Sequence, residues 1–262
     1  MATAPIGLRL DQREQGAIAH LTVENMSKLN TLNSANMIAF VEQVEAHGHR
    51  DDLRAVVLTG AGDKAFIGGA DIREMAALDA ERAEGFITLV HRACDGLREL
   101  PVPVIARING YALGAGLEVA AACDLRIASS NAVFGMPEVK VGIPSVVEAA
   151  LLPGLIGWGR TRELLLFGEN IDAATALAWG LVEQVVAPDQ LDAAVEARLA
   201  ALLAAGPRAV RLQKQLIRRW EDLTLSQAVS AGIESFSRAY ATDEPARMMA
   251  RFVQRRRDHA VD

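Results

Sequence analysis

The chain has 262 residues, of which 51% are hydrophobic and 23% are charged. This composition is typical of a globular protein and excludes an intrinsically disordered one. The formal net charge of −6 disfavours general binding to nucleic acid or to anionic membranes. Cys94 and Cys123 lie in mostly apolar stretches, which predicts buried, reduced thiols in a cytoplasmic protein. The amino terminus shows no secretory pattern, and no apolar stretch is long enough to span a bilayer.

Strand and helix patterns alternate over the first part of the chain. Apolar residues alternate on either side of Asp11–Gly16, which predicts a β-hairpin there. Apolar residues at helical spacing predict helices over 33–47 and 80–99, and short apolar runs predict buried strands over 55–60 and 102–108.

After about residue 145 the strand signals fade and helical patterns dominate. The predicted helices span 145–156, 160–168, 172–178, 189–205, 207–220, 224–240 and 243–257. Strand–helix alternation followed by helices indicates an α/β core with a helical carboxy-terminal part.

The first segment with chemical potential is Gly68-Gly69-Ala70-Asp71. Asp71 and Glu74 have the D-x-x-E spacing of a helix capping box, and the two glycines allow a tight turn before that helix. The backbone N–H of Ala70 is therefore predicted to lack a partner. An ordinary loop-to-helix junction would look the same.

The second segment, 109–124, contains a small-residue helix that begins near Ala115, whose N–H is another candidate oxyanion donor. Glu118 is the only charge between Asn109 and Cys123, and such a carboxylate is costly unless it is neutral, paired or catalytic. A salt bridge from Glu118 to Arg126 is the structural alternative. A dinucleotide fingerprint is disfavoured, because Val119 stands where a glycine or alanine is needed.

The third segment, 134–145, carries Glu138, which by itself would be interpreted as a solvated loop carboxylate. Two free amides could hold a developing oxyanion, and two carboxylates could move protons at a neighbouring carbon. Together the three segments predict chemistry next to a carbonyl group.

These segments resemble the crotonase (enoyl-CoA hydratase/isomerase) superfamily over nearly the whole chain. The matching stretches are 25–33, 65–75, 108–129, 134–143 and 169–186. The resemblance implies an α/β fold, a spiral of β-β-α units over 1–200, followed by a helical trimerisation region over 201–262. It also implies a homotrimer, or a hexamer made as a dimer of trimers.

The resemblance places the oxyanion-hole amides at Ala70 and Ala115, the second of which is usually glycine in the family. Glu118 and Glu138 match the two acid/base carboxylates of the hydratases. The implied reaction adds water to a trans-2-enoyl-CoA to give a 3-hydroxyacyl-CoA. Glu118 would take the proton of the water as its oxygen attacks C3, and Glu138 would deliver a proton to C2.

The resemblance also implies which residues contact the CoA portion of the substrate. They are Lys28, Leu29, Phe66, Gly68, Asp71, Ile72, Phe252 and Arg255. The last two would reach the CoA of a neighbouring subunit, although a solvated helix end is the alternative interpretation. Neither a metal nor a separate cofactor is expected, because CoA is part of the substrate.

One stretch departs from the family. Residues 145–157, SVVEAALLPGLIG, replace a glycine-rich segment, which leaves acyl specificity open. Ser145 is predicted to cap a helix, and Glu148 is expected to pair with Arg160 or Arg162 or to face the acyl pocket. The five histidines, including His91, are predicted to have no chemical role.

Other functions remain open at this point. Isomerisation, hydrolysis or decarboxylation of an acyl-CoA is the close alternative. A non-catalytic acyl-CoA- or RNA-binding protein is a more distant one, because a pure binder has no evident need for two costly carboxylates in a pocket.

Overall fold

A computed structural model describes residues 5–48 and 50–258, without the side chains of 255–258, and divides the chain into two compact units between Leu199 and Ala200. In chain order, the strands are β1 (Ile6–Arg13), β2 (Gly16–Val23), β3 (Leu53–Gly60), β4 (Ala65–Ile67), β5 (Val104–Ile108), β6 (Tyr111–Leu113), β7 (Leu125–Ser129), β8 (Val133–Gly135), β9 (Ile171–Asp172) and β10 (Gln184–Val186). The helices are α1 (Ser34–Gly48), α2 (Ile72–Met75), α3 (Ala80–Glu99), α4 (Ala115–Ala122), α5 (Leu152–Phe167), α6 (Ala173–Trp179), α7 (Leu191–Ala204), α8 (Pro207–Trp220), α9 (Leu225–Ala239) and α10 (Glu244–Asp258).

The first unit contains two sheets. The larger has the strand order β1-β2-β3-β5-β7-β10, and the smaller has the order β4-β6-β8-β9. The predicted hairpin is β1–β2, which is antiparallel, whereas β2, β3, β5, β7 and β10 pair in parallel. From β3 to β8, successive strands alternate between the larger and the smaller sheet, and a helix follows each pair, as in β3-β4-α3, β5-β6-α4 and β7-β8-α5. This is the predicted β-β-α repeat.

The core lies between these sheets and the helices packed on them. Helix α3 shows how the sequence builds it, because Phe86, Val90, Cys94 and Leu97 recur at helical spacing and are all buried. The Asp79 side chain accepts a hydrogen bond from the Arg82 amide and so fixes where α3 begins.

The sequence predicted only helices after residue 145, and this prediction was incomplete. Strands β9 and β10 form there and complete the smaller and the larger sheet respectively. At two and three residues, they are too short to show the alternation by which strands are recognised. The helix predicted to start at 145 begins instead at Leu152, after a 3-10 turn over Val147–Leu151.

Helices α8, α9 and α10 belong to the second unit. The Glu244 carboxylate accepts hydrogen bonds from the Arg208 and Ala209 amides at 3.1 and 2.9 Å, which satisfies donors at the start of α8. A capping box between Thr224 and Gln227 begins α9. Within the described residues, every helix is too short or too polar to cross a bilayer.

Gly116, the second residue of α4, permits a close approach between this helix and the smaller sheet. A Cβ at this position would overlap the backbone carbonyl of Ile67, at the end of β4. Only glycine therefore lets the start of α4 lie against the end of β4.

Gly116→Ala should lower the free energy of unfolding by about 1–3 kcal/mol, because backbone cannot move aside as a flexible side chain can. Urea unfolding measures the effect. Gly85→Ala on α3 is the matched control: no atom lies within 4 Å of its added methyl, and alanine should stabilise that helix by roughly 0.5–1 kcal/mol. Equal destabilisation by both variants would contradict the close-approach argument.

Candidate active site

The Ala70 amide is left free by the way its loop is tied down. Leu32 forms an isolated parallel bridge with Ala70. The Leu32 amide donates to the Gly69 carbonyl at 2.9 Å, and the Asp71 amide donates to the Leu32 carbonyl at 2.7 Å. The bridge thus uses the neighbours of Ala70, and within the described part of the chain its own N–H has no recorded acceptor.

The Ala115 amide is the second free donor. Ala115 is the first residue of α4, so its N–H has no acceptor within the helix. Gly114 forms the turn before it with φ of 51°, a left-handed conformation that glycine adopts without strain. The contact at Gly116 sets this helix start against the end of β4, three residues before Ala70.

Asp71 joins two of the predicted CoA-contacting stretches. Its carboxylate accepts from the Arg73 and Glu74 amides, as a cap should, and from Lys28 Nζ at 2.8 Å. The Lys28 ammonium lowers the pKa of Asp71, and the two amides add to that effect. Only half of the predicted capping box forms, because the Glu74 carboxylate bonds to Ser34 at the start of α1.

Glu118 is 4% exposed. Its Oε1 accepts a hydrogen bond from the Ala149 amide at 3.1 Å. Burial raises the pKa of Glu118 to about 8; the Ala149 amide opposes the rise, and the Glu138 and Glu148 carboxylates increase it. The alternative salt bridge to Arg126 does not form, because that guanidinium pairs with Glu183 and donates to the Cys123 carbonyl.

The Glu138 side chain lies beside the start of α4, the helix that carries Glu118. Its Oε2 accepts from the Ser145 hydroxyl at 2.8 Å, and its Oε1 lies so close to Gly114 that a Cβ there would overlap it. Gly114 precedes Ala115, so Glu138 lies at the start of the helix that carries Glu118. The two carboxyl groups lie close enough for the Glu138 charge to raise the pKa of Glu118.

Residues 145–149, the bracing segment, therefore contact both carboxyl groups. Ser145 holds Glu138 rather than capping a helix, and that prediction was wrong. Between the two contacts, Val147 has φ of 34°, which is strained for a β-branched residue. The bend at Val147 allows the Ser145 hydroxyl to contact Glu138 and the Ala149 amide to contact Glu118.

Glu148 and His91 form a pair that the sequence did not reveal. The His91 Nδ1 lies 2.7 Å from Glu148 Oε1, whereas Arg160 and Arg162 contact Trp179 and Trp158. Both expected arginine partners for Glu148 were wrong. No local pattern could find this pair, because 57 residues separate its members.

The remaining residues predicted to contact CoA differ in how accessible their side chains are to a ligand. The Leu29 carbonyl accepts from the Gly68 amide at 2.8 Å, which joins the turn at Lys28 to the loop before Ala70. Ile72 is exposed, but the Phe66 side chain is fully buried in the core and could offer a ligand only its backbone. Phe252 lies exposed on α10 in the second unit, and Arg255 falls outside the described side chains.

A pair of carboxyl groups beside free backbone amides defines a site for proton transfer next to a carbonyl. Among the described residues, no group of three or more potential ligands could hold a metal ion. The sequence model of the enoyl-CoA hydratase/isomerase family matches residues 13–260. The chain belongs to this family.

Known relatives agree in sequence and in fold. A short-chain-enoyl-CoA hydratase from Clostridium acetobutylicum is 36% identical, and the match covers 93% of this chain and 94% of the relative. A crotonyl-CoA hydratase from Syntrophomonas wolfei is 34% identical over 96% of each chain. The crystal structure of an enoyl-CoA hydratase from Bacillus anthracis superposes with a TM-score of 0.91, at 30% identity over 96% of each chain.

Glu118→Gln should remove a pH dependence of stability. The pKa of Glu118 is about 8 in the folded chain, against an ordinary value of 4.5, so the folded state binds the extra proton between these pH values. The free energy of unfolding should therefore fall by about 1.4 kcal/mol per pH unit as pH rises from 4.5 to 8.

In Glu118→Gln this contribution should vanish, so the variant gains stability relative to wild type as pH rises towards 8. Urea unfolding at several pH values measures it. Glu84→Gln, at an exposed position on α3, should follow wild type. Parallel curves for wild type and Glu118→Gln would contradict the elevated pKa.

Proposed function

We propose that the protein is a 2-enoyl-CoA hydratase that adds water across the 2,3 double bond to give a 3-hydroxyacyl-CoA. The observation that carries this proposal is the shared placement of Glu118 and Glu138, bridged by the bracing segment. Hydration needs one group that takes a proton from water and one that gives a proton to C2, and two carboxyl groups provide both. The hydratase names of the relatives support it.

The Ala70 and Ala115 amides would bind the thioester oxygen. As water attacks C3, negative charge moves from C2 onto that oxygen, and two N–H donors stabilise this enolate more than the bound substrate. The Ala115 methyl, where the family usually has glycine, narrows the space around the thioester. Both donors belong to the backbone, so the side chain at either position does not remove them.

Glu118 would enter the reaction cycle protonated. A carboxyl group with a pKa of about 8 is protonated at pH 7, so in the resting protein Glu118 holds a proton. If Glu118 is the base at water and Glu138 the acid at C2, this proton must pass to Glu138 through the bound water before attack. The opposite roles require no such transfer.

The CoA portion would follow the turn at Lys28 and Leu29 and the loop from Gly68 to Ile72. The Lys28 ammonium is half-exposed although it pairs with Asp71, so one face remains open to the CoA phosphates. Phe252 and Arg255 would contact the CoA of a neighbouring subunit.

Residues 201–262 would form the oligomerisation region of a trimer or of a hexamer. Apolar side chains along one side of α9 are strongly exposed: Leu225, Val229, Ile233, Phe236 and Tyr240. Such a contiguous apolar stripe is typical of a protein interface. Sedimentation of the full chain at the mass of three or six copies would support this assembly, and a monomer would contradict it.

Glu118→Gln and Glu138→Gln should each lower kcat for crotonyl-CoA by about 10²–10⁴-fold. KM should change little, because neither side chain reaches the Lys28 turn. Loss of the enoyl-thioester absorbance measures turnover, and Glu84→Gln is the control. Near wild-type rates in either variant would contradict the acid/base assignment, and turnover of a 3-enoyl-CoA alone would indicate an isomerase.

A substrate with a better leaving group separates the two roles. Elimination of chloride from a 3-chloroacyl-CoA needs a base at C2 but no acid at C3. If Glu138 works at C2, Glu118→Gln should keep this elimination while Glu138→Gln loses it. The reverse result would assign C2 to Glu118.

A further inference from the structure

The Glu148–His91 pair lies where the bracing segment meets α3 and α4. Glu148 is 7% exposed, and its Oε1 contacts His91, whose side chain on α3 is half-exposed. Glu148 Oε1 accepts a hydrogen bond from His91 Nδ1 in the tautomer that carries the proton on this nitrogen. Glu148 Oε2 is buried without a recorded hydrogen-bond donor in the described residues. No step of the proposed reaction uses either side chain.

A buried carboxylate with one unsatisfied oxygen is unfavourable for stability. It lies between Val147, whose backbone is strained, and Ala149, whose amide holds Glu118. Strained backbone persists only where its surroundings fix it. The contact to His91 ties the middle of the bracing segment to the long helix α3, where the Cys94 thiol also interacts with Glu148. Ser145, at the segment's other end, holds Glu138.

We propose that Glu148 and His91 act as a positioning pair: their contact fixes the bracing segment, so that the Ser145 hydroxyl and the Ala149 amide hold Glu138 and Glu118 in reactive geometry. This inference rests on the proposed hydratase function and adds two positioning residues to it. Neither residue needs to touch substrate.

The charge of Glu148 provides a second readout. Among the described residues, the ionisable groups recorded beside Glu148 are Glu118 on α4, and His91 and Cys94 on α3, with Cys123 near Cys94 and Glu138 near Glu118. After burial and the Ala149 hydrogen bond, Glu138 and then Glu148 affect the pKa of Glu118. Burial raises the pKa of the Cys94 thiol, and the Glu148 charge raises it further. Removing the Glu148 charge should therefore ease ionisation of Glu118 if Glu148 lies close to it.

The first experiment measures turnover of crotonyl-CoA. His91→Ala and Glu148→Ala should lower kcat by about ten- to a hundredfold with little change in KM, because misplaced reacting groups slow chemistry rather than CoA binding. His91→Gln keeps an N–H donor and should recover most of the rate. Arg92→Ala is the matched control. Arg92 follows His91 on α3 and makes an exposed ion pair with Glu45 on α1, so this variant should match wild type.

The second experiment does not depend on activity. Infrared spectroscopy follows the C=O stretch of the protonated Glu118 carboxyl group during a pH titration, with Glu118→Gln to assign the band. Glu148→Gln preserves size and removes the charge, so the Glu118 midpoint should move to lower pH. This isosteric variant remains informative if Glu148→Ala does not fold.

The outcomes separate the two proposals. Wild-type kcat in both alanine variants, or an unmoved Glu118 midpoint in Glu148→Gln, would overturn the positioning pair. Wild-type protein that turns over no 2-enoyl-CoA would overturn the hydratase function. In that case a midpoint shift in Glu148→Gln would still support the electrostatic interaction of Glu148 with Glu118, and an unmoved midpoint would overturn it.

Discussion

The burial of the Glu118 carboxyl group is the constraint on which the rest of the site depends. A carboxylate at this depth is costly when ionised, and it receives one backbone hydrogen bond, from Ala149. The protein accommodates the group mainly by keeping it protonated. A buried acid with a pKa close to neutral is suited to exchange protons with a substrate.

The fold explains why backbone amides and carboxyl groups meet at one place. Each of the three turns β3-β4-α3, β5-β6-α4 and β7-β8-α5 passes from the larger sheet to the smaller sheet and then into a helix. The loop after β4 and the start of α4 belong to successive turns, and Gly116 lets them approach closely. Glu118 follows one helical turn after the free Ala115 amide, and Glu138 reaches the same helix start beside Gly114.

Sequence reasoning found the parts of the site that depend on short local patterns. Glycines before Ala70 and Ala115 indicated tight turns that leave the two amides free. A lone charge in an apolar run indicated Glu118. Sequence reasoning missed the contacts of Ser145 with Glu138 and of His91 with Glu148, because these depend on how a 3-10 turn packs against a helix distant in sequence. For the same reason, Glu148 was given arginine partners nearby in sequence. The roles of the two glutamates in catalysis remain predictions.

The strained backbone at Val147 has a consequence for how such a protein can change. One short stretch supports two acidic groups at once, so a replacement that relieves its strain or alters its length disturbs both together. Substitutions in this stretch that admit new acyl groups would therefore also lower the reaction rate. Adaptation should therefore proceed more readily through surfaces that do not touch residues 145–149.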